Sequence, residues 1–398
     1  MRIYHIEDFF HPCAGYQTNI ISKYMVKMGH EVTILTAEDS KKTPAMYRSF
    51  FGDMDIGQED IKYMEKYGVN ILRFPIRGIF SSRAIFKKPL FQKLYNDPPD
   101  VVFLHGNDTL TGIQLLRKVE KLPFALVADS HMLDMASKNK LNKLFWAYYR
   151  KFVTPKIVRN QIPIIRTQDD PYVEKRLGIP LSQCPFISFG SDTSLFHPDE
   201  VVKQEFRKRH GISKDAFVIT YTGKLDEAKG GLFLAETFQK RYTGRPVTLI
   251  VVGNTPAGAY GEQVEKTFSI SENKVLRFPT QMYENLPQFY QAADLAVFAK
   301  QCSLTFYDAQ ACGVPVVFED NNINIERGSH GNGLTFASGK AEDFRRCVQQ
   351  CIDMTTEEWQ AMRENSYKFI KNSYDYEQKT QEYIEILEKA IIKRKGKR

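Results

Sequence analysis

The chain has 398 residues, of which 42% are hydrophobic, 13% aromatic and 26% charged, a globular composition whose length calls for two or three domains at roughly 150 residues each. One small module and a mainly disordered chain are excluded, and 24 Gly with 18 Pro are too few for low-complexity sequence. The net charge of +8 is uneven: residues 1–190 hold 27 Lys+Arg against 19 Asp+Glu, whereas 191–398 hold 28 of each. Two stretches, 66–96 and 135–168, contain no acid, and the tail KAIIKRKGKR (389–398) has six basic residues and no acid, which leaves 191–388 at −6. Such polarisation suits an anionic partner, a membrane surface or nucleic acid, with a solvated charge run as the plain alternative. No nucleic-acid recognition motif accompanies it, so that partner is set aside.

In chain order, RIYHI, the loop EDFFHPCAGYQTN, a periodic segment to Met28 and EVTILTA from Glu31 read as a βαβ opening, with Gly15 where loop meets helix. Buried-strand runs follow at VNILRF (69–74), DVVFLH (100–105), FALVAD (124–129) and IPIIRT (162–167). The segment FISFGSDTSLFHPD (186–199) breaks the periodicity and marks a boundary. A second series runs through FVITYTG from 217, VTLIVVG (247–253), NKVLRF (273–278), ADLAVFA (293–299) and VPVVFED (314–320), and after Gly339 the pattern is helical to the end. The fold class is therefore α/β, with two Rossmann-like domains. Open α/β sheets bind ligands at the carboxyl edge of the strands, so the active site is expected in a cleft between the two.

Two segments carry the chemistry. TGKLDEAKG (222–230) sets Lys224 and Lys229 around a loop that follows a strand and opens a helix, where ammonium groups and free amides suit a diphosphate; on spacing alone a solvated loop fits equally well. It is not a Walker loop, which needs Gly-x4-Gly-Lys-Ser/Thr. The second, Cys302-Ser303-Leu304-Thr305, precedes a helix carrying Asp308 and ending at Cys312-Gly313. Small residues there let amides approach phosphate or sugar, and a carboxylate one turn in accepts from vicinal hydroxyls.

Taken in order, AGYQTNIISKYMVKMGHEVTILTAE (14–38), DVVFLHG, ADSHML (128–133), ISFGSDTSLFHPD, YTGKLDEAKGG, LIVVGN and the ADLAVF to ACGVPVV block resemble the family 4 glycosyltransferases of the GT-B architecture over almost the whole chain. The resemblance implies an acceptor-binding domain over 1–188, a nucleotide-sugar-binding domain over 189–372, and a final helix, 373–398, that returns to the first domain with the basic tail. It implies a retaining transfer from a nucleotide diphosphate sugar, UDP-linked, to a hydroxyl of a lipid-linked or polysaccharide acceptor, with no metal and no other cofactor. Gly15 resembles the glycine near the donor diphosphate, with Ala14 in place of the first of the usual Gly-Gly pair. His131 falls where the family places a histidine in the donor-sugar and acceptor pocket. Lys224 replaces the usual arginine and Lys229 matches the family lysine, together as the diphosphate clamp; Lys for Arg keeps the charge but loses the bidentate fork. Gly223, Gly253, Ser303, Leu304 and Thr305 are implied donor contacts. Of the family's Glu-x7-Glu element, the second glutamate aligns with Asp308 as the ribose-binding carboxylate. The first falls at Lys300, Gln301 or Cys302, where no carboxylate stands. That departure keeps a catalytically silent protein, or an epimerase- or phosphorylase-like enzyme on the same fold, as alternatives.

Other features carry less. No apolar run reaches the roughly 18 to 20 residues of a membrane span, and the opening MRIYHIEDFF has Glu7 and Asp8 where a signal peptide is apolar, so the chain is expected in the cytoplasm. SKNKLNKLFWAYYRKF (137–152) aligns Leu141, Leu144, Phe145, Tyr148, Tyr149 and Phe152 on one stripe among lysines and arginines, which reads as core packing or as an interfacial membrane helix. With the basic tail it leads to an expectation of peripheral association with the inner face of the membrane. Asp53-Met54-Asp55 reads as an exposed loop. His5, His11 and Cys13 do not share ligand spacing on one element, and the six cysteines read as free, mostly buried thiols.

Overall fold

A computed structural model describes residues 1–38, 54–134, 142–300 and 304–396. Asp53, Leu141, Gln301, Cys302 and Ser303 lie outside the described residues. The chain divides into two compact units, one formed by Met1–Phe189 with Tyr376–Arg398 and the other by Gly190–Asp375. The first division lies one residue after the 188 read from sequence, and the second after Asp375 instead of 372.

In the first unit the apolar runs form β1 (Arg2–Ile6), β2 (Glu31–Ala37), β3 (Asn70–Phe74), β6 (Val101–Leu104), β7 (Ala125–Ser130) and β8 (Ile164–Arg166), all parallel in the order β3-β2-β1-β6-β7-β8. Between β3 and the next helix the chain makes an antiparallel hairpin, β4 (Ile76–Phe80) and β5 (Arg83–Phe86), inside an acid-free stretch that sequence pattern left as charge only. Apolar residues on both faces require helices on both faces, and Leu90, Leu115, Leu116, Tyr149, Val153 and Ile157 supply part of that cover from the helical segments. The last helix, Tyr376–Lys395, packs on the helix Gln17–Lys27 and on β6 and β7. Tyr383 inserts from it, its hydroxyl accepting from Gln17 Nε2 at 2.6 Å.

The second unit repeats the plan. Strands β9 (Phe217–Thr222), β10 (Val247–Val252), β11 (Lys274–Phe278), β12 (Leu295–Phe298), β13 (Val316–Glu319) and β14 (Gly333–Phe336) are parallel in the order β11-β10-β9-β12-β13-β14. Both sheets thus reverse their strand order once, between β1 and β6 and between β9 and β12. In a doubly wound sheet that reversal opens a crevice beyond the carboxyl ends of the strands, because the connections leave in opposite directions.

Two expectations need correction. Asp55 is no loose loop residue: it caps the helix Ile56–Tyr67, its Oδ1 accepting from the amides of Gly57 and Gln58 at 3.0 and 3.2 Å. The aromatic stripe over 142–152 is not one face. Tyr149 is buried and Phe145 packs on the core, but Leu144, Tyr148 and Phe152 are 71%, 37% and 45% exposed. The reading of the cysteines as mostly buried thiols holds among the described residues: Cys184, Cys312, Cys347 and Cys351 are buried with no disulfide, and Cys13 is half-buried with its thiol on Glu59.

Candidate functional site

At the reversal point of the first sheet, parallel register stacks polar side chains at the ends of apolar strands. His5 pairs across with Phe103, and Phe103 with Val127. Two residues further on, facing the same side, stand His105 and Asp129, so a period of two brings His5, His105 and Asp129 onto one face. His5 Nδ1 lies 2.8 Å from His105 Nε2, and His105 Nδ1 lies 2.9 Å from Asp129 Oδ2. Asp129 Oδ1 accepts from the Gly106 amide at 2.7 Å and lies 3.0 Å from His131 Nε2. His131 reaches the surface with its side chain 37% exposed, stacks on Phe189 at 5.3 Å, and turns Nδ1 to Thr167 Oγ1 at 3.3 Å.

Electrostatics follow from burial and pairing. Burial alone would push Asp129 up, but His131 and His105 outweigh it and hold the carboxyl well below the usual carboxylate range. Burial opposes a charged His131, yet the Asp129 carboxylate overrides it and raises the imidazole above its ordinary value. His5, fully enclosed beside His105, is held well below the ordinary value by burial. Burial also raises Glu7, which accepts from Thr18 Oγ1 at 2.8 Å, and pushes Asp8 up to about 7. The hairpin closes on this edge: the Ala84 amide donates to Asp8, and Arg83 pairs with Asp108 at 3.0 Å. Ligating atoms of His105, Asp129 and His131 lie within 4.8 Å of one another. That is metal-site spacing, but the carboxylate stands between the two imidazoles at hydrogen-bond distances from both.

In the second unit the loop after β9 holds Gly223, Lys224 and Lys229. Its backbone is pinned at both ends: the Tyr221 hydroxyl donates to the Lys224 carbonyl at 2.6 Å, and Asp226 Oδ1 accepts the Lys229 amide at 2.9 Å. Gly230, at φ 71°, then turns the chain into the helix Gly231–Thr237. Gly253, after β10, sits so close to this loop that a Cβ on it would stand 1.9 Å from the Gly223 carbonyl oxygen, so the two glycines let adjacent loops meet backbone to backbone. Beside them a cavity of about 420 Å³ is lined by Gly253, Asn254, Arg277, Phe278 and Pro279. After β12, Leu304 precedes the helix Thr305–Ala311, whose first turn carries Asp308. Asp308 is enclosed and accepts from Ser191 Oγ at 2.7 Å; burial first, then the Asp192 charge, push its carboxyl up to about 8 against the hydrogen bonds from Ser191 and Tyr283. Lys300, one of the three positions where the first family glutamate would fall, lines a cavity of about 290 Å³ with Glu227 and Glu319 and donates to the Glu227 carbonyl at 3.4 Å.

The family described as "Glycosyl transferases group 1" matches residues 216–354. A probable sucrose-phosphate synthase of Thermosipho melanesiensis is 23% identical, spanning 96% of this chain and 92% of its own. A glycosyltransferase from Rickettsia africae superposes at TM-score 0.74 with 13% identity, covering 98% of each chain. The Anabaena protein HepE, solved in complex with UDP-glucose, does so at TM-score 0.71 with 17% identity, covering 97% of this chain and 99% of its own. The chain has the GT-B fold and carries a group 1 glycosyltransferase domain over residues 216–354.

In this glycosyltransferase the sequence-level candidates fall into separate groups. Gly223, Lys224, Lys229 and Gly253 come together around β9 and β10; Leu304, Thr305 and Asp308 share one helix start; Gly15 lies in the loop after β1 and His131 after β7. Sequence reasoning found His131, set His5 aside for want of ligand spacing with His11 and Cys13, and missed His105, Asp129 and Ser191, which pass for strand or linker. Only strand register, which no local pattern states, puts His5, His105 and Asp129 in contact.

Proposed function

We propose that this glycosyltransferase retains configuration, moving a sugar from a UDP-linked donor to a hydroxyl of a lipid-linked or polysaccharide acceptor. The observation that carries the donor half is the pinned Gly223–Gly230 loop: two lysines on a fixed backbone, in a loop that meets Gly253 backbone to backbone. Support comes from HepE, solved with UDP-glucose. In the proposed step the bond from the anomeric carbon to the diphosphate oxygen breaks while the acceptor oxygen bonds the same face, and the acceptor's proton passes to a departing phosphate oxygen. No protein nucleophile is used. Lys224 and Lys229 offset the charge gathering on the diphosphate, the largest electrostatic demand of the step, as a divalent ion does elsewhere. The proposal assigns the cavity lined by Phe278 and Pro279 to the base, Asp308 to the ribose and His131 to the sugar or acceptor end.

Peripheral attachment at the inner face of the membrane belongs to the same proposal. Among the described residues no helix is long and apolar enough to cross a membrane. The first unit nevertheless holds +11 of formal charge and the second −3, counted from the sequence over the two units, and the exposed Leu144, Tyr148 and Phe152 add apolar anchors. A second reading is favoured by the relatives: sucrose-phosphate synthase and D-inositol 3-phosphate glycosyltransferase both carry a phosphorylated small molecule in their names. A basic first unit suits such an acceptor as well.

Mass spectrometry of purified protein given a panel of nucleotide sugars, with lipid acceptors in one arm and sugar or polyol phosphates in the other, separates the two. Lys229→Ala should lower turnover on the accepted pair roughly 100-fold, the scale of losing one electrostatic stabiliser. Wild-type turnover in that variant would remove the clamp from the proposal.

A further inference from the structure

The chain of contacts behind His131 has a direction. Asp129 is a buried acceptor, so the imidazole nitrogens facing it donate: His105 through Nδ1 and His131 through Nε2. His105 Nε2 is then the acceptor for His5 Nδ1–H, and His5 presents a bare Nε2 that has no hydrogen-bond partner among the described residues. These tautomers are assigned from the partners. The other nitrogen of His131, Nδ1, faces Thr167 Oγ1, whose own proton is directed at the Ser130 carbonyl at 3.1 Å. The hydroxyl oxygen therefore receives from Nδ1–H. Both nitrogens of His131 are donors tied inside the first unit, and the exposed part of the ring is its carbon edge and one face, the other lying on Phe189.

We infer that Asp129 and His105 are positioning residues that lock His131 as an imidazolium of fixed orientation, which serves its substrate as a stationary positive charge and transfers no proton to it. The inference rests on the proposed role of His131 at the sugar or acceptor end. A group whose two nitrogens are held by Asp129 and Thr167 has none left to shuttle. A general acid or base needs one nitrogen within reach of the substrate proton. A cation next to an anionic substrate group needs only proximity, and phosphate is the anion carried by every donor considered above and by the sugar and polyol phosphate acceptors. The charged and titratable groups that act on the ring or on its Asp129 partner are His5 on β1 and Glu7 just after it, His105 and Asp108 after β6, Asp129 on β7 and, beside Asp129, Tyr383 from the last helix. Asp108 is itself paired with Arg83.

The test is a side-chain nitrogen NMR titration of the histidines in the full chain, alongside the pH dependence of kcat. In the wild type, His131 should titrate above the ordinary histidine value, with both nitrogens protonated below the midpoint. In Asp129→Asn the midpoint should fall by about one pH unit or more, in His105→Phe by less, and in Thr167→Val it should also fall. The alkaline limb of kcat should move down in step, and kcat should drop about tenfold or more at neutral pH with donor KM little changed, as when a carboxylate that orients an imidazole is lost. Asp129→Glu should recover part of both. If Asp129→Asn does not fold, His105→Phe and Thr167→Val decide. An unmoved midpoint in the folded variants overturns the lock, and a midpoint that moves while the alkaline limb stays put overturns the fixed charge as what the substrate meets. If no donor is turned over at all, the transfer reading fails while the titration still rules on the lock.

Discussion

Asp308 enters neutral solution holding a proton. Its folded pKa, about 8, lies above the 3.8 of an ordinary aspartate because burial and Asp192 disfavour the charge. Between those two values the native state keeps a proton that the unfolded chain has released, so this group makes stability fall as pH rises through that window. Asp308→Asn abolishes the titration, and its melting temperature should decline less than the wild type's between about pH 5 and 8; parallel curves would show that the carboxyl is not held neutral. A neutral carboxyl both donates and accepts, which fits a ribose diol at least as well as a carboxylate does. At this scale the sequence was uneven in what it disclosed. Lys224, Lys229 and Asp308 stand in loops and helix starts where their chemistry has no packing excuse, and so were legible. His105 closes an apolar run and Asp129 ends another, so each passes for strand until register sets them side by side.

At the scale of elements, long apolar runs flanked by polar loops announced nearly every strand, because parallel strands buried on both faces have little freedom of composition. The hairpin Ile76–Phe86 and β14 escaped: the first carries Arg77 and Arg83 among its apolar residues, and the second, GLTF, has only two large apolar side chains, Leu334 and Phe336. The helix Asn142–Phe152 shows how a helical stripe divides once packed. Residues 145 and 149 lie toward the core, while 144, 148 and 152, one step round the helix, face outward beside Lys143 and Lys151. Complete burial of a Leu or Phe contributes about 1.5–3 kcal/mol each. Leu144→Ser with Phe152→Ser, both at exposed positions, should therefore leave the fold intact and lower retention on anionic vesicles by an order of tenfold even with partial insertion. Retention equal to wild type in a co-sedimentation assay would assign attachment to charge alone.

For the whole molecule, one consequence lies in the order of synthesis. The first unit is interrupted: its chain leaves at Phe189 and returns only at Tyr376, after the entire second unit has been made. On a ribosome, β9 to β14 and their helices are therefore available to fold while the surface of β6 and β7 still waits for the helix that covers it. Until Tyr383 arrives, Phe103, whose ring lies 5.7 Å from it, has no neighbour on that side from the last helix, and Gln17 Nε2 lacks the hydroxyl it donates to. A chain stopped at Asp375 should thus show a protease-resistant Gly190–Asp375 fragment together with cleavage inside 1–189, and the full chain should show neither. Equal resistance of both halves in the shortened chain would mean that the returning helix is dispensable. If it is required, a half-made polypeptide cannot acquire a working first unit, and competence arrives only once Tyr376–Lys395 has been translated.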